Sequence, residues 1–109
     1  MAVLSAQAVT QAGIAPTFQA AAAGGDSFAN DGRMFLHVKN ASASVVTVTV
    51  DSVTPCNHGF DHNLAVTVPA TTGERLIGPF QTDRFNNDTS MVNVTYSAAA
   101  SVTVAVIKI

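Results

Sequence analysis

Charge is scarce in this chain. Of 109 residues, five are Lys or Arg and seven are Asp or Glu, 11% in total against about 25% for an ordinary soluble domain. Arg33, Lys39, Arg75, Arg84 and Lys108 are scattered. They do not form the dense basic stripe that neutralising a phosphate backbone requires, so direct nucleic-acid binding is not expected. Cysteine is limited to Cys56, which excludes an internal disulfide and fits a reducing compartment. Trp is absent and Tyr96 is the only Tyr, so the exposed aromatic platform of a typical sugar-binding face is not provided. No apolar run approaches ~18 residues, so no membrane span is expected. The first positive side chain is Arg33, and the Ala-x-Ala patterns near the start therefore lack the charged beginning of a secretory signal, which points to synthesis in a cytosol. Gly-x-Ser-x-Gly, a Gly-rich phosphate loop and His-Glu-x-x-His are all missing.

What the chain has is β-branched alternation. Met34, Leu36 and Val38 fall on one face of a strand whose other face holds Phe35, His37 and Lys39. Val46, Val48 and Val50 oppose Val45, Thr47 and Thr49 in the next run. Further strands are predicted over 64–68, 74–77 and 92–96, each bounded by Pro, Gly or a Ser/Ala cluster. The run from Val102 to Ile109 is apolar on both faces. It should lie between two strands or inside a subunit contact, because an open edge of that kind templates aggregation.

Asn30-Asp31-Gly32 is a strong turn signal, and 40–44 and 70–73 look like similar short connections. The segment 1–25 reads as an N-terminal arm or as short strands at 2–10 and 16–22. A helix is not expected, since an Ala run closed by Gly24-Gly25 is too short to be stable. Seven or eight strands with turns every eight to twelve residues predict an all-β fold, a small antiparallel β-sandwich or barrel, with residues 1–109 forming one domain.

Two stretches are candidates for function. Cys56, His58 and His62, with Asp61, offer ligand types that Zn²⁺ accepts, but a second ligand pair at zinc-site spacing is missing and the expected reading is a polar loop. No catalytic residue, metal or cofactor is assigned. The other stretch contains Phe80, Arg84 and Phe85, two rings and a guanidinium in a turn-rich connection, suited either to docking on a partner or to closing the end of the sandwich. With Ile107 and Ile109 of the last strand, these are the interface candidates. Asp26 and the other aspartates are placed in or beside turns, and His37 on a solvated face.

Several blocks together resemble a known family. They are residues 28–40 (FANDGRMFLHVKN), 46–50 (VTVTV), 73–80 (GERLIGPF), 84–86 (RFN), 94–97 (VTYS) and the closing VTVAVIKI. In combination they resemble small structural proteins encoded beside the major capsid protein of tailed bacteriophages, the capsid decoration or cement proteins. The resemblance implies a virion component made in the host bacterial cytoplasm, with the major capsid protein as partner. Such a protein would bind the outer surface of the mature head and stabilise capsomer contacts, as a homo-oligomer, with a trimer favoured. Alternatives are another virion component, in head completion or the tail, and a carbohydrate-binding β-sandwich module.

Overall fold

Alternating apolar and hydroxyl side chains give two stacked sheets. The computed structural model describes residues 2–52, 63–86 and 89–108. Its strands are β1 (Ala2–Leu4), β2 (Ala6–Ala8), β3 (Gln19–Ala20), β4 (Asp26–Ala29), β5 (Met34–Asn40), β6 (Val46–Val50), β7 (Leu64–Val68), β8 (Gly73–Ile77), β9 (Met91–Tyr96) and β10 (Val102–Lys108). A single helical turn, α1 (Thr82–Phe85), precedes β9. The first sheet has the order β1-β4-β9-β6-β7; the second has β2-β10-β5-β8, with β3 on the same edge of β10 as β2. The expected all-β sandwich is the architecture found.

Its core is the inward half of each alternation. Leu36, Val38, Val46, Val48, Val50, Val92, Val94, Val104 and Val106 are completely buried between the two sheets. Each such Val removes apolar surface worth roughly 1.5 kcal/mol or more from water. With so few large side chains available, the interior depends on many small increments rather than on a few aromatic anchors.

The last strand is covered on both faces and both edges. β10 lies between β5, which it pairs antiparallel, and the β2/β3 pair. Its core-facing residues Val102, Val104 and Val106 are buried, and so are Ala105 and Ile107 on the opposite face. The coverage is supplied by the chain itself.

Three expectations are corrected. Pairing is not wholly antiparallel: β1 runs parallel to β4, and β2 parallel to β10. Alternation specifies which face a residue occupies but not the direction of the neighbouring strand, and the long connections to β4 and β10 leave room for the crossover a parallel pair needs. A helix is present, though only one turn long, with Asp83 in that turn and the buried Phe85 at its end. Four residues are too few to display a 3.6-residue period. The N-terminal strands are also shorter than expected, because the chain passes from the first sheet to the second at Ser5, splitting 2–10 into β1 and β2.

Glycines permit two close approaches. A Cβ on Gly73 would overlap the Pro69 carbonyl, so the turn joining β7 to β8 closes only around a bare backbone. At Gly78, where φ is +134°, a Cβ would stand 2.7 Å from the Met34 carbonyl oxygen.

Candidate interface surfaces

One end of the sandwich is plugged by rings. Phe80 packs on Phe28 with centroids 5.5 Å apart, and edge-on against Phe85 at 5.5 Å. Buried Asn30 fastens this plug. Its Nδ2 donates to the Phe80 carbonyl at 3.1 Å and to Asn86 Oδ1 at 2.7 Å, while its Oδ1 accepts the Gly32 N–H at 3.0 Å. The Asn86 amide donates back to the Asn30 carbonyl at 2.9 Å. As interface candidates, Phe80 and Phe85 are therefore corrected: at 1% and 4% exposure their rings close the protein's own core. Arg84 is half-buried, with its guanidinium 4.7 Å from the Phe85 ring. Ile107, at 9% exposure, is likewise taken up within the chain. Ile109, Cys56, His58, Asp61 and His62 lie outside the described residues.

The outer face of the second sheet is partly roofed by the chain. Gln7 on β2 stands opposite Ile107, which stands opposite Phe35. From there the Gln7 amide grips the backbone of Thr17: Nε2 donates to the Thr17 carbonyl and Oε1 accepts the Thr17 N–H, both at 2.8 Å. This clamp joins the two ends of the segment 9–18, whose tip is turned by a Gly13 N–H to Thr10 carbonyl bond. Half-buried Phe18 then lies edge-on to His37 at 4.9 Å and beneath the Lys39 ammonium, 4.3 Å from its ring centroid. His37 Nε2 is 3.5 Å from Glu74 on the neighbouring strand. His37 is thus covered by an aromatic ring and faced by a carboxylate rather than simply solvated. Beside this group is a cleft of about 210 Å³ lined by Lys39, Asn40, Ala41 and residues 71–74. Leu76, opposite His37 on β8, remains 60% exposed.

The outer face of the first sheet has a different chemistry. Thr95, Thr49 and Ala65 stand side by side across β9, β6 and β7, and Thr47 stands beside Thr67 in the next row but one. Asn93 and Met91 continue the face along β9, with Ser27 and Ala29 opposite them on β4. Among the described residues, no hydrogen bond engages the hydroxyls of the four threonines. Asp51 continues the row of Thr47 and Thr49 past the end of β6: its N–H donates to the Asn93 carbonyl at 2.9 Å, which brings one carboxylate to this face.

Two acidic groups are placed by the fold. Asp26 lies beside a turn, as expected, just after the Gly25 N–H to Ala22 carbonyl bond; there it begins β4 and is completely buried. Its Oδ2 accepts the Tyr96 hydroxyl at 2.7 Å and the Ala22 N–H at 3.2 Å. Burial of the phenol, followed by the hydrogen bond to Asp26 and its charge, pushes the Tyr96 pKa strongly upward. Asp31 is exposed and meets Lys108 at 3.3 Å and Arg33 at 3.4 Å. Desolvation opposes ionisation there, but the Arg33 backbone N–H and the Lys108 ammonium hold the Asp31 carboxyl below its ordinary range. Among the described residues, no three His, Cys, Asp or Glu side chains are grouped closely enough to hold a metal ion. None of the described helices is long and apolar enough to cross a membrane.

No family model, curated protein or solved structure matches the chain.

Proposed function

We propose that the protein is a structural component of a tailed-bacteriophage virion, a decoration protein that seats on the outside of the mature head and ties neighbouring capsomers together. The observation that carries this reading is the shape and finish of the molecule. It is a flattened two-sheet sandwich with principal extents of 38 × 35 × 20 Å. Its aromatic ring plug is turned inward, and outside it hydroxyls and small side chains predominate, with Val3, Val9, Val45 and Leu76 exposed among them. A protein of this construction acts by matching a surface many times over. When one oligomer meets several shell subunits, the later contacts are effectively intramolecular, and avidity exceeds single-site affinity by about 10²–10⁴. The blocks that resemble the decoration family fall on β4, β5, β6, β8, β9, β10 and the ring plug, which are the parts that define the sandwich.

The test is co-sedimentation of the purified protein with expanded heads of the phage that encodes it, followed by cryo-electron microscopy of the decorated particles. Density on the outer surface of the shell is the expected result. Heads that remain bare at saturating protein overturn the proposal.

The cleft beside Lys39 and Glu74 favours a second reading, a module that binds a small polar ligand such as a sugar. A glycan array probed with the purified protein distinguishes the two, with binding lost on Glu74→Ala if the cleft is the site.

A further inference from the structure

Resting on the second reading, in which the cleft beside Lys39 and Glu74 takes a small polar ligand, we infer that this ligand is a zwitterion of free-amino-acid size. Its carboxylate sets on the Lys39 ammonium and its ammonium on the Glu74 carboxylate. Lys39 on β5 and Glu74 on β8 are direct cross-strand partners, and opposite charges so placed ordinarily attract one another. Here they are drawn apart. The Lys39 ammonium lies over the Phe18 ring, 4.3 Å from its centroid, while Glu74 Oε2 stands 3.5 Å from His37 Nε2. Among the described residues, no ion pair joins Lys39 to Glu74. The cleft thus presents a cation and an anion side by side, each with hydrogen-bonding capacity to spare.

The lining between them is fixed beforehand. Asn40 is buried in it: Nδ2 donates to the Ser44 and Pro69 carbonyls at 2.9 and 3.0 Å, and Oδ1 accepts the Ser42 N–H at 2.9 Å. The Thr71 N–H donates to the Ser42 carbonyl at 2.7 Å, which ties the connection 69–72 to the connection 41–45. Thr71 takes a φ of +71° there, a region that β-branched residues seldom enter. Thr71 and Thr72 are exposed, and no hydrogen bond among the described residues engages their hydroxyls, which add neutral donors and acceptors to the site. At about 210 Å³ the cleft is smaller than the roughly 300–1,000 Å³ of pockets for drug-sized molecules, so its ligand is compact. An anion alone would be drawn to Lys39 but repelled by Glu74, and a cation alone the reverse. A neutral sugar forgoes the attraction of charge for charge. A zwitterion satisfies both residues at once.

The experiment is a ¹H–¹⁵N NMR titration of the intact protein with four separate probes: L-alanine, acetate, methylamine and methyl glucoside. L-alanine is expected to shift the amides of Thr71, Thr72 and Glu74 saturably, with a Kd of about 1–10 mM, the low affinity of an open site with solvated charges. The other three should bind about tenfold more weakly or less. Lys39→Gln and Glu74→Gln each keep a hydrogen-bonding side chain while removing one charge, and each should weaken L-alanine binding by about tenfold. Both residues are exposed, so urea midpoints should not change. The assignment is overturned if a singly charged probe binds as tightly as L-alanine, or if both Gln variants bind L-alanine like wild type. Binding of the glucoside without binding of L-alanine overturns the zwitterion but leaves the small-ligand reading standing. No saturable shift from any of the four probes overturns both.

Discussion

The Tyr96 hydroxyl donates a 2.7 Å hydrogen bond to the carboxylate of Asp26, across 70 residues of sequence. The same carboxylate oxygen receives the Ala22 N–H, so one acidic side chain ties β9 to the approach of β4. Its other oxygen is buried with no hydrogen-bond partner among the described residues. The arrangement thus leans heavily on the phenol.

Tyr96→Phe should therefore destabilise the fold by about 1–3 kcal/mol in urea denaturation, because a buried acceptor loses its strongest donor. The pH dependence has a definite sign. The folded-state pKa of Tyr96 is raised, so its contribution is complete below the unfolded value of ~10 and declines as pH rises above it, by up to ~1.4 kcal/mol per pH unit. Comparing wild type with Tyr96→Phe between pH 8 and 11 isolates this slope. A wild-type curve parallel to that of the variant would contradict the coupling. Since Tyr96 is the only Tyr, phenolate absorbance should appear only as the protein unfolds.

Gln7→Glu keeps the acceptor for the Thr17 N–H but sets a carboxylate against the Thr17 carbonyl. Loss of the donated bond and this repulsion should loosen the segment 9–18 and lower stability by about 1 kcal/mol. Hydrogen exchange at Thr17 and Phe18 should accelerate, with β5 and β6 unaffected. Unchanged exchange at Thr17 would show that the clamp does not hold the segment.

Gly73→Ala should cost at least ~1–3 kcal/mol, as overpacking against a fixed carbonyl does. Thermal or urea midpoints measure it. Gly24→Ala is the internal comparison, because a Cβ there meets nothing within 4 Å.

Phe80→Ala should lower stability by about 3–5 kcal/mol, the range for emptying a buried ring position, whereas Arg84→Ala, on the outside of the plug, should cost far less. Equal, small effects would mean that the three rings do not form a cooperative core. Because Phe80 and Phe85 are interior, any effect of their truncation on assembly should follow the loss of stability.

Much of the fold was legible because alternation dominates β5, β6 and β10: the inward assignments of Met34, Leu36, Val38, Val46, Val48 and Val50 are all borne out by burial. β4 was not legible. Its inward positions are Asp26 and Phe28, and a buried carboxylate breaks the apolar alternation on which a strand prediction depends. What stabilises Asp26 lies 70 residues away and leaves no local trace. The two-faced character of β10 was visible, but its cover was not, since neither Gln7 nor Phe18 announces that it will fold back across a sheet. Likewise, the run Val-Thr-Val-Thr-Val placed Thr47 and Thr49 outside, yet only the strand register adds Thr67 and Thr95 to the same face. Phe80, Arg84 and Phe85 admitted both a docking and a closing role because composition cannot distinguish an anchor pointing out from one pointing in.

The parallel pairing of β2 with β10 joins Gln7 to Ile107, and this has a consequence for biogenesis. An emerging chain can form the β5–β6 region early, but residues 6–8 have no strand to join until the ribosome has delivered the segment from Val102 onward. Joining of β2 to the second sheet is thus a late event dominated by long loop closure, which places the molecule among the slower folders.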